Sequence, residues 1–411
     1  MAKVLSGKNR IAVIGGGAAG LMAAIFASRE GSKVTLFEKN DRVGRKLLQT
    51  GNGKCNFTNI NMDESFYHGS AAEAGLVKKV LEGFSEEDCA AFFKSLGVES
   101  RERKGCLYPY PETASAVLDV LRFECERLGV NICIDREIKA IKFIKPNYSV
   151  GDFSFNAVII ATGGLAAPKT GSTGDGYGMA KAFSLSVNKP LPALTLLKTS
   201  DKWFKGVEGI RAEAGLRLFV DGKAAGESKG ELQLIKEGVS GICAFDLSGT
   251  AARALDAGLE VSLSIDFLPN IEASAVYDYL KERRDGHPER RAEFFFTGLF
   301  HKRLSELFLR KAGIAGAKAA ACLTDKDIAG LSHIISGLRL NIDGTGDFSR
   351  CQVTCGGVMA KELNDNLMAK KSPGLFFCGE VVDADGPCGG YNLQWAFSSG
   401  VAAGRAAALY G

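Results

Sequence analysis

A glycine-rich turn near the start of the chain has the spacing of a phosphate-binding loop. Its residues GGGAAG place Gly15, Gly17 and Gly20 in a G-x-G-x-x-G pattern. In such a turn the first glycine permits a sharp bend, the second lets the backbone approach a pyrophosphate, and the third lets a helix pack closely on a strand. Glu38 follows 23 positions after Gly15, where an acidic side chain can accept hydrogen bonds from an adenosine ribose. The pattern predicts a dinucleotide-binding site.

The elements that must position these residues can be predicted on both sides of the turn. Residues 10–14 predict a short buried strand, and LMAAIFASREG after the turn predicts a helix that ends near Gly31. Residues 33–37 predict a second strand, which Glu38 ends. The N-terminus of the helix offers free N–H groups and a partial positive charge to phosphates. This context supports the glycine pattern, which alone would be a weak signal.

A second glycine-rich segment, with several basic residues, follows the predicted acidic strand end. It contains Lys39, Gly44-Arg45-Lys46 and the run LLQTGNGKCNFTN at 47–59. Flavoproteins of the glutathione-reductase type use a similar segment to hold the FAD pyrophosphate and the edge of the flavin. Glycines such as Gly51 and Gly53 leave space against a flat ring system. We therefore predict that the dinucleotide is FAD; a solvated basic loop is the alternative interpretation.

Later segments are predicted to return to the same site. Residues 158–161 predict a strand that ends in Thr162-Gly163-Gly164, and TGSTGDGY at 170–177 is either a further approach of backbone to the ligand or a surface turn before a helix at 179–184. Residues 374–378 predict a strand, followed by Gly379-Glu380, the turn GPCGGYN and a helix over 393–409. The N-terminus of that helix would face the flavin pyrimidine and stabilise negative charge on the reduced ring. Both ends of the chain are thus expected to close one domain around an inserted middle.

The middle of the chain has a different pattern. Residues 195–266 alternate short apolar runs with turn signals such as Asp221-Gly222, which predicts a β-rich subdomain, and residues 271–329 predict helices. The helical part contains the basic run KERRDGHPERR at 281–291, in which acidic residues are interleaved. The run is either a solvated helix face or a surface for an anionic substrate or nucleic acid. The interleaved acids favour the solvated face.

Composition limits the class of protein. The chain has 411 residues, enough for two or three domains, and a formal net charge of +4 that does not by itself indicate nucleic acid. No apolar run approaches the roughly 20 residues of a membrane span, and the polar start MAKVLSGKNR predicts no secretory signal. The eleven cysteines are therefore expected to be reduced cytoplasmic thiols. Cys351 and Cys355 have no second pair or histidine cluster near them in the sequence, so no metal site is predicted.

Five segments together resemble one flavoprotein family over nearly the whole chain. They are GGGAAGL, GRKLLQTGNGKCNFTN, ATGGLAAPKTGSTGDGYGMA, VTCGGV and GEVVDADGPCGGYNLQWAFSSG. The chain is similar to the aminoacetone-oxidase-like FAD-binding enzymes, a family that also contains 3-dehydro-bile-acid delta(4,6)-reductases. The resemblance implies an α/β fold with a Rossmann-type, two-dinucleotide-binding FAD domain like that of glutathione reductase. It also implies an inserted β-barrel-like subdomain and a small helical subdomain.

The resemblance guides the predicted boundaries and cofactor contacts. We predict the FAD-binding domain at 1–190 and 355–411, the β-rich insert at 191–270 and 331–354, and the helical insert at 271–330. The resemblance implies contacts to FAD, expected to be bound non-covalently, from Ala18, Glu38, Arg45, Lys46 and the turn at 390–393. The full set of predicted cofactor contacts is Gly15, Gly17, Ala18, Ala19, Gly20, Glu38, Lys39, Gly44, Arg45, Lys46, Thr50, Gly51, Gly53, Asn56, Ile138, Ala161, Thr162, Gly163, Gly379, Glu380, Gly390, Tyr391, Asn392 and Leu393.

The sequence excludes one class of flavoenzyme and leaves several reactions open. Pyridine-nucleotide disulfide reductases need a redox-active cysteine pair and a second G-x-G-x-x-G domain, and the sequence contains neither. Any NAD(P)H that serves as the electron donor must therefore dock transiently near the flavin. The leading prediction is a reductase of an activated carbon–carbon double bond, such as that of an unsaturated 3-oxo bile acid or steroid, by hydride transfer from reduced flavin. The alternatives are an oxidase of small amines such as aminoacetone that produces hydrogen peroxide, and a flavin-binding RNA- or protein-interaction factor.

No catalytic residue is assigned from the sequence. Tyr391 and Cys388 lie beside the predicted flavin-facing helix end and are candidates to touch the substrate, because a tyrosine hydroxyl could protonate the α-carbon of an enone. Two departures from the family leave the substrate open. Lys54 stands where many members carry an arginine and loses the bidentate geometry, and the insert reads GELQLIKEGVSGICAFDLSG where many carry a threonine and a proline. The expected partner is a small molecule, with neither membrane nor nucleic acid; the oligomeric state is left open.

Overall fold

The computed structural model describes residues 9–410. Residues 1–8, which carry most of the polar start used to predict the lack of a secretory signal, and Gly411 lie outside the described part. The chain divides into two compact units: unit 1 spans 1–191 and 352–411, and unit 2 spans 192–351. Within residues 9–410, no helix is both long enough and apolar enough to cross a membrane.

The helices and strands of the described residues are as follows. The helices are α1 (Ala18–Arg29), α2 (Ser70–Glu73), α3 (Leu76–Gly83), α4 (Glu86–Ser95), α5 (Ala114–Arg127), α6 (Asp175–Ala182), α7 (Ile242–Asp256), α8 (Val276–Gly286), α9 (Lys302–Lys311), α10 (Asp325–Gly337) and α11 (Tyr391–Leu409). The strands are β1 (Arg10–Ile14), β2 (Lys33–Phe37), β3 (Thr58–Asn59), β4 (Ser100–Arg103), β5 (Cys106–Pro109), β6 (Asn131–Cys133), β7 (Ile141–Ile144), β8 (Asn147–Val150), β9 (Phe153–Phe155), β10 (Ala157–Ile160), β11 (Val187–Ala193), β12 (Leu197–Lys198), β13 (Arg211–Val220), β14 (Lys223–Ile235), β15 (Gly238–Ser240), β16 (Val261–Asp266), β17 (Leu338–Ile342), β18 (Gly344–Thr345), β19 (Val353–Val358) and β20 (Leu375–Phe377).

A five-stranded parallel sheet forms the centre of unit 1, in the order β20-β10-β1-β2-β6. The strands are apolar on both faces, as expected for a parallel sheet covered by helices. In the register, Ile14 pairs with both Phe37 and Ile160, and Ile160 also pairs with Phe377. The carboxyl ends of the four strands are therefore level. The residues that follow them meet along one edge, which is where α/β sheets bind ligands.

Helices α1 and α11 pack closely because α11 carries glycines at the contact. A Cβ at Gly400 would lie 2.4 Å from the carbonyl oxygen of Ala19, and one at Gly404 would lie 2.5 Å from that of Ala23. These distances are too short for any larger side chain. The first and last helices of the described chain thus belong to one packed layer. Strand β20 likewise pairs with β10, so residues 352–410 complete the sheet that the N-terminal segment begins.

Small antiparallel sheets surround this centre. Strands β3, β5 and β4 form one in the order β3-β5-β4, and β7, β8 and β9 form a second. Separately, β11 pairs with β19 in a two-stranded sheet. The β3-β5-β4 sheet follows the segment 47–56 directly in the chain. The helix after TGSTGDGY was predicted at 179–184 but α6 begins at Asp175, because the glycine turn ends sooner than expected.

Unit 2 contains a seven-stranded antiparallel sheet in the order β17-β16-β13-β14-β15-β12-β18. The sequence pattern did not indicate α7, which lies in the segment expected to be β-rich and packs on β14. Its buried residues are mostly small, four alanines with Cys243, Ser248 and Gly249 beside Leu247, so the helical spacing of large apolar residues that would predict a helix is weak. The predicted helical boundary at 330 is also too early, since α10 continues to Gly337 before β17 begins.

Candidate functional site

The glycine turn after β1 is as tight as its spacing predicts. Gly15 has φ +105°, in the left-handed region, and a Cβ at this position would lie 2.4 Å from the carbonyl oxygen of Ala161. A Cβ at Gly20 would lie 1.9 Å from the carbonyl oxygen of Gly15. Gly15 therefore allows close contact with the backbone of Ala161, and Gly20 allows close contact with the backbone of Gly15. A side chain at either position would push α1 away from the sheet.

The second glycine of the pattern faces open space instead. A Cβ at Gly17 would have no protein atom within 4 Å. Gly17 is the N-cap of α1, and no side chain caps the helix. The first hydrogen bond of the helix runs from the N–H of Leu21 to the carbonyl of Gly17, at 3.0 Å. The N–H groups before Leu21 lack an acceptor within the helix, so the start of α1 is suited to an anion.

Glu38 lies at the carboxyl end of β2, beside the glycine turn, and is only 7% exposed. Its Oε2 accepts the N–H of Gly16 at 2.9 Å, while Oε1 accepts the backbone N–H and the side-chain amide of Asn40 at 2.8 and 2.6 Å. These bonds fix the carboxylate next to the turn. An ionised carboxylate has about four acceptor positions, so capacity remains for a ligand hydroxyl.

The segment 44–56 folds back onto the turn. The N–H of Gly44 donates to the carbonyl of Gly16 at 2.8 Å, and Gly51, Asn52 and Gly53 follow with positive φ values of 57°, 54° and 83°. This run of left-handed backbone turns the chain back on itself. It leads to Asn56, whose buried Oδ1 has no hydrogen-bond partner. An unpartnered buried acceptor is costly, so it indicates a place where a ligand donor belongs.

The three predicted cofactor-binding cations each have a partner within unit 1. Lys39 forms an ion pair with Asp175 at 2.5 Å, and Arg45 donates to the amide oxygen of Asn40 at 2.9 Å. Lys46 forms an ion pair with Glu380 at 2.5 Å. These contacts hold the segment 39–46 in place, and contact of the same cations with a cofactor remains a prediction.

Glu380 links three of the predicted segments. Besides Lys46, its carboxylate accepts the N–H of Thr354 at 2.9 Å. The hydroxyl of Thr354 in turn accepts the N–H groups of Leu165 and Ala166 at 2.8 and 2.9 Å. The segment after β10, strand β19 and the segment after β20 are therefore fixed to one another. The positioning role of Thr354 was not predicted, although the segment VTCGGV that contains it was among those that identified the family.

The turn before α11 lies against β3. Gly390 has φ +99°, and a Cβ there would lie 2.7 Å from the carbonyl of Thr58. Asn392 closes the turn, since its side chain accepts the N–H of Gly386 at 2.9 Å and donates to the carbonyl of the same residue at 2.7 Å. The amide of Asn59 donates to the carbonyl of Gly389 at 2.8 Å. The N-terminus of α11 is thereby held by β3.

The structure shows the surroundings of the two candidates for substrate contact, Tyr391 and Cys388, and of the neighbouring Cys55. The hydroxyl of Tyr391 donates to the carbonyl of Asn61 at 3.0 Å, so its proton is already engaged. Cys388 is half-buried in the turn. Burial raises the pKa of Cys55 to about 12, which keeps this thiol protonated. Among the described residues, no group of three or more histidine, cysteine, aspartate or glutamate side chains could hold a metal ion.

All the predicted cofactor contacts except Ile138 fall into four groups within unit 1. Gly15, Glu38, Lys39, Ala161, Thr162, Gly163, Gly379 and Glu380 follow strands at the carboxyl edge; Gly17, Ala18, Ala19 and Gly20 form the start of α1; Gly44, Arg45, Lys46, Thr50, Gly51, Gly53 and Asn56 lie in the folded-back segment; Gly390, Tyr391, Asn392 and Leu393 begin α11. Ile138 is buried beyond β6, in the segment whose Arg136 N–H donates to the carbonyl of Glu38 at 2.8 Å. Their role in binding remains a prediction.

The basic run at 281–291 is used partly for contacts inside unit 2. Arg283 donates to the carbonyls of Phe295 and Thr297, both at 2.6 Å. Arg284 forms ion pairs with Asp285 and Asp325, both at 2.8 Å. These contacts favour a structural role for the two arginines over a nucleic-acid surface.

Comparisons with known proteins give the following matches. The family model for the HI0933-like protein Rossmann domain matches residues 9–406. The chain is 36% identical over 407 residues to a 3-dehydro-bile acid delta(4,6)-reductase of Clostridium scindens, covering 97% of this chain and 99% of that protein. It is 28% identical over 402 residues to a ribosomal RNA dihydrouridine synthase of Haemophilus influenzae, covering 95% and 96%. A solved structure of 3-ketosteroid delta1-dehydrogenase from Sterolibacterium denitrificans aligns with 98% of this chain and 100% of that chain, at 12% identity and a TM-score of 0.48.

Proposed function

The chain belongs to the HI0933-like Rossmann-domain family and is an FAD-dependent oxidoreductase, and from that premise we propose that it reduces a carbon–carbon double bond conjugated to a carbonyl group. The family match confirms the resemblance identified in the sequence. The observation that carries the proposal is 36% identity over 97% of the chain to a relative named a 3-dehydro-bile acid delta(4,6)-reductase. In a 3-oxo steroid a double bond at carbon 4 is conjugated to the C3 carbonyl. The carbonyl withdraws electron density, so the β-carbon of such a bond accepts hydride.

Unit 1 has features that suit FAD. The space at Gly17 and the uncapped N-terminus of α1 suit a pyrophosphate, and the buried, unpartnered Oδ1 of Asn56 suits a ligand donor near Gly51 and Gly390. Bound FAD in its reduced form supplies the hydride. The chain must then hold the substrate, stabilise the negative charge that develops and deliver a proton to the α-carbon.

The start of α11 is suited to the charge. Its first-turn N–H groups have no acceptor within the helix, and the helix carries a partial positive charge at this end. Bonds from Asn59 to Gly389 and from Asn392 to Gly386 hold the turn before it rigid. Such preorganised donors stabilise developing negative charge without rearrangement.

Tyr108 is the proton donor we assign to this reaction. Its ring lies 3.7 Å from the Cβ position of Gly51, and it is half-buried. Burial raises the pKa of its phenol, so the group stays protonated at neutral pH. The hydroxyl of Tyr391 is less suited, since it donates to a backbone carbonyl, whereas the hydrogen bond of the Tyr108 hydroxyl is to the Cys106 side chain, whose sulfur is a weak acceptor.

The proposal is tested by anaerobic stopped-flow absorbance of the purified flavoprotein. NADH or NADPH is expected to bleach the oxidised-flavin band, and a 3-oxo-4-ene bile acid is expected to restore it while the saturated product forms. Aminoacetone is added in a parallel experiment. Bleaching by the amine alone, with hydrogen peroxide formed when air is admitted, would refute the reductase and establish the amine oxidase.

A second candidate is the reduction of uridine in ribosomal RNA. It is favoured by the 28% identity over 95% of the chain to a protein named a ribosomal RNA dihydrouridine synthase. Uracil also carries a carbon–carbon double bond conjugated to a carbonyl, so the same chemistry serves both substrates. Nucleoside mass spectrometry of ribosomal RNA incubated with the enzyme and NAD(P)H distinguishes them: dihydrouridine formation without turnover of the bile acid would assign the RNA substrate.

A further inference from the structure

The three-stranded sheet β3-β5-β4 carries a basic face beside the candidate site. On β5, Cys106 pairs with Asn59 of β3 on one side and with Arg103 of β4 on the other. Two residues further along β5, Tyr108 pairs with Arg101 of β4. Directly paired residues in antiparallel strands point to the same side of the sheet, and so do residues two apart in one strand. These five side chains therefore share one face.

Three contacts show that this face is turned toward the glycine segments. The amide of Asn59 donates to the carbonyl of Gly389 at 2.8 Å, and the sulfur of Cys106 lies 3.8 Å from the same oxygen. The ring of Tyr108 lies 3.7 Å from the Cβ position of Gly51. Because neighbouring strands are about 4.8 Å apart and each residue rises about 3.4 Å, the backbone of Arg103 lies about 10 Å from that of Asn59 and the backbone of Arg101 about 12 Å.

Positive charge exceeds negative charge on this face. Lys54 and Arg101 lie 3.1 and 3.3 Å from the carboxylate of Glu112, and Arg103 contacts the same carboxylate. Three cations thus share one anion, which leaves an excess of two positive charges. The cations are 40–51% exposed, while the Glu112 side chain is 15% exposed. The carboxylate holds the cations together, and their exposure leaves donors open to solvent.

An aromatic ring borders the cluster. The guanidinium of Arg101 lies 4.6 Å from the ring centroid of Tyr110, which limits its freedom. Tyr110, next to β5, is more than half exposed. A ligand that fits has an apolar body and an anionic end. The patch is too small for the extended row of phosphate contacts that RNA binding uses.

We propose that Lys54, Arg101 and Arg103 form a subsite that binds the carboxylate of an amphipathic small-molecule substrate. The inference rests on the proposed function, because the reacting double bond of that substrate lies in its apolar body. The cluster fixes the far end of the molecule and thereby places the double bond near Gly51 and Gly389. Arginine suits this task, since its planar fork binds a carboxylate through two hydrogen bonds.

The test compares an acid with its neutral ester. The substrates are 3-oxo-4-cholenoate and its methyl ester, and the variant is Arg101→Gln with Arg103→Gln. The ratio of kcat/KM for the acid to that for the ester is expected to fall roughly 10- to 100-fold in the variant, mainly through KM for the acid. The matched control is Arg122→Gln, which removes an exposed arginine of α5 that forms an ion pair with Asp119 in its own helix and should leave the ratio unchanged.

Each other outcome has a definite meaning. An unchanged ratio, or equal losses for acid and ester, would overturn the subsite. So would a change confined to KM for NADPH, or salt-sensitive RNA retention lost in the variant, which would assign the cluster to another ligand. If neither acid nor ester reoxidises the reduced wild-type flavin, the proposed function fails instead. The subsite is then tested separately by titrating the oxidised holoenzyme with saturated 3-oxocholanoate and following the flavin absorbance, where equal affinity of wild type and variant would refute it.

Discussion

Replacing Gly17 by alanine tests whether the space at the start of α1 is where a phosphate binds. The backbone of Gly17 has φ −81° and ψ −171°, which any residue adopts, and a Cβ there meets nothing within 4 Å. The free energy of unfolding of the flavin-free chain should therefore change by less than about 1 kcal/mol, the usual range for this substitution at a compatible position.

The same methyl group would occupy the path by which a phosphate reaches the first-turn N–H groups. Losing a hydrogen bond to a charged group costs roughly 1.5–3 kcal/mol. The Kd for FAD should therefore rise roughly 10- to 150-fold. Titration of the flavin-free protein by flavin fluorescence gives this Kd, and urea unfolding gives the stability.

Substitutions at two further glycines serve as controls for the effects on FAD affinity and on stability. Gly178→Ala adds a methyl group to an exposed position of α6 with nothing within 4 Å, so FAD affinity should not change. Gly20→Ala places a Cβ 1.9 Å from the carbonyl of Gly15, and overpacking of this kind typically costs about 1–3 kcal/mol of stability. An unchanged Kd in Gly17→Ala, or a loss of stability as large as that of Gly20→Ala, would refute the reasoning.

Three other predictions use different assays. Tyr108→Phe should lower kcat for the enone roughly 100-fold or more, as expected for loss of a general acid, while flavin reduction by NAD(P)H stays unchanged; equal slowing of both steps would contradict the assignment. Hydrogen bonds from Arg127 and Arg29 lower the pKa of the buried Glu124 carboxyl. The ionised carboxylate therefore stabilises the folded protein fully above the unfolded-state pKa of about 4.3, and this contribution is lost as the pH falls through the lower pKa of the folded state. The difference in Tm between wild type and Glu124→Gln should accordingly shrink from pH 7 to pH 3, and a constant difference would argue against ionisation. Iodoacetamide at pH 8 should modify the exposed Cys322 first and spare the buried Cys55, as peptide mass spectrometry of the native protein and of Cys322→Ser can verify.

The N-terminal unit could be predicted because its signals are local. The observed strands Arg10–Ile14 and Lys33–Phe37 have the predicted bounds, since each is a short apolar run ended by glycine or an acid. The helix near the C-terminus begins at Tyr391, two residues before the predicted start. Gly390 in a left-handed conformation sets this boundary, and the sequence shows glycines there without showing which of them turns the chain.

The contacts that organise the candidate site could not be predicted in the same way. Lys46 and Glu380 are 334 residues apart, and nothing in either local sequence indicates the other. The register of β3, β5 and β4 likewise decides which face Arg101 and Arg103 share, and a shift by one residue would turn them away. Charge and composition identify such residues as polar, whereas only the pairing of distant strands makes them neighbours.

The packing of α11 on α1 has a consequence for the order in which the protein is made. Strand β1 and helix α1 leave the ribosome early. The glycines that pack against Ala19 and Ala23 of α1, Gly400 and Gly404, are made near the end of the chain. Unit 2, at 192–351, is complete before them. About 370 residues separate the end of α1 from these glycines, so at 5–20 residues per second α1 is made roughly 20–75 s before its partner. During that interval its apolar face and the edge of β10 are exposed, so the newly synthesised N-terminal half is the stage at which chaperone binding or aggregation is expected.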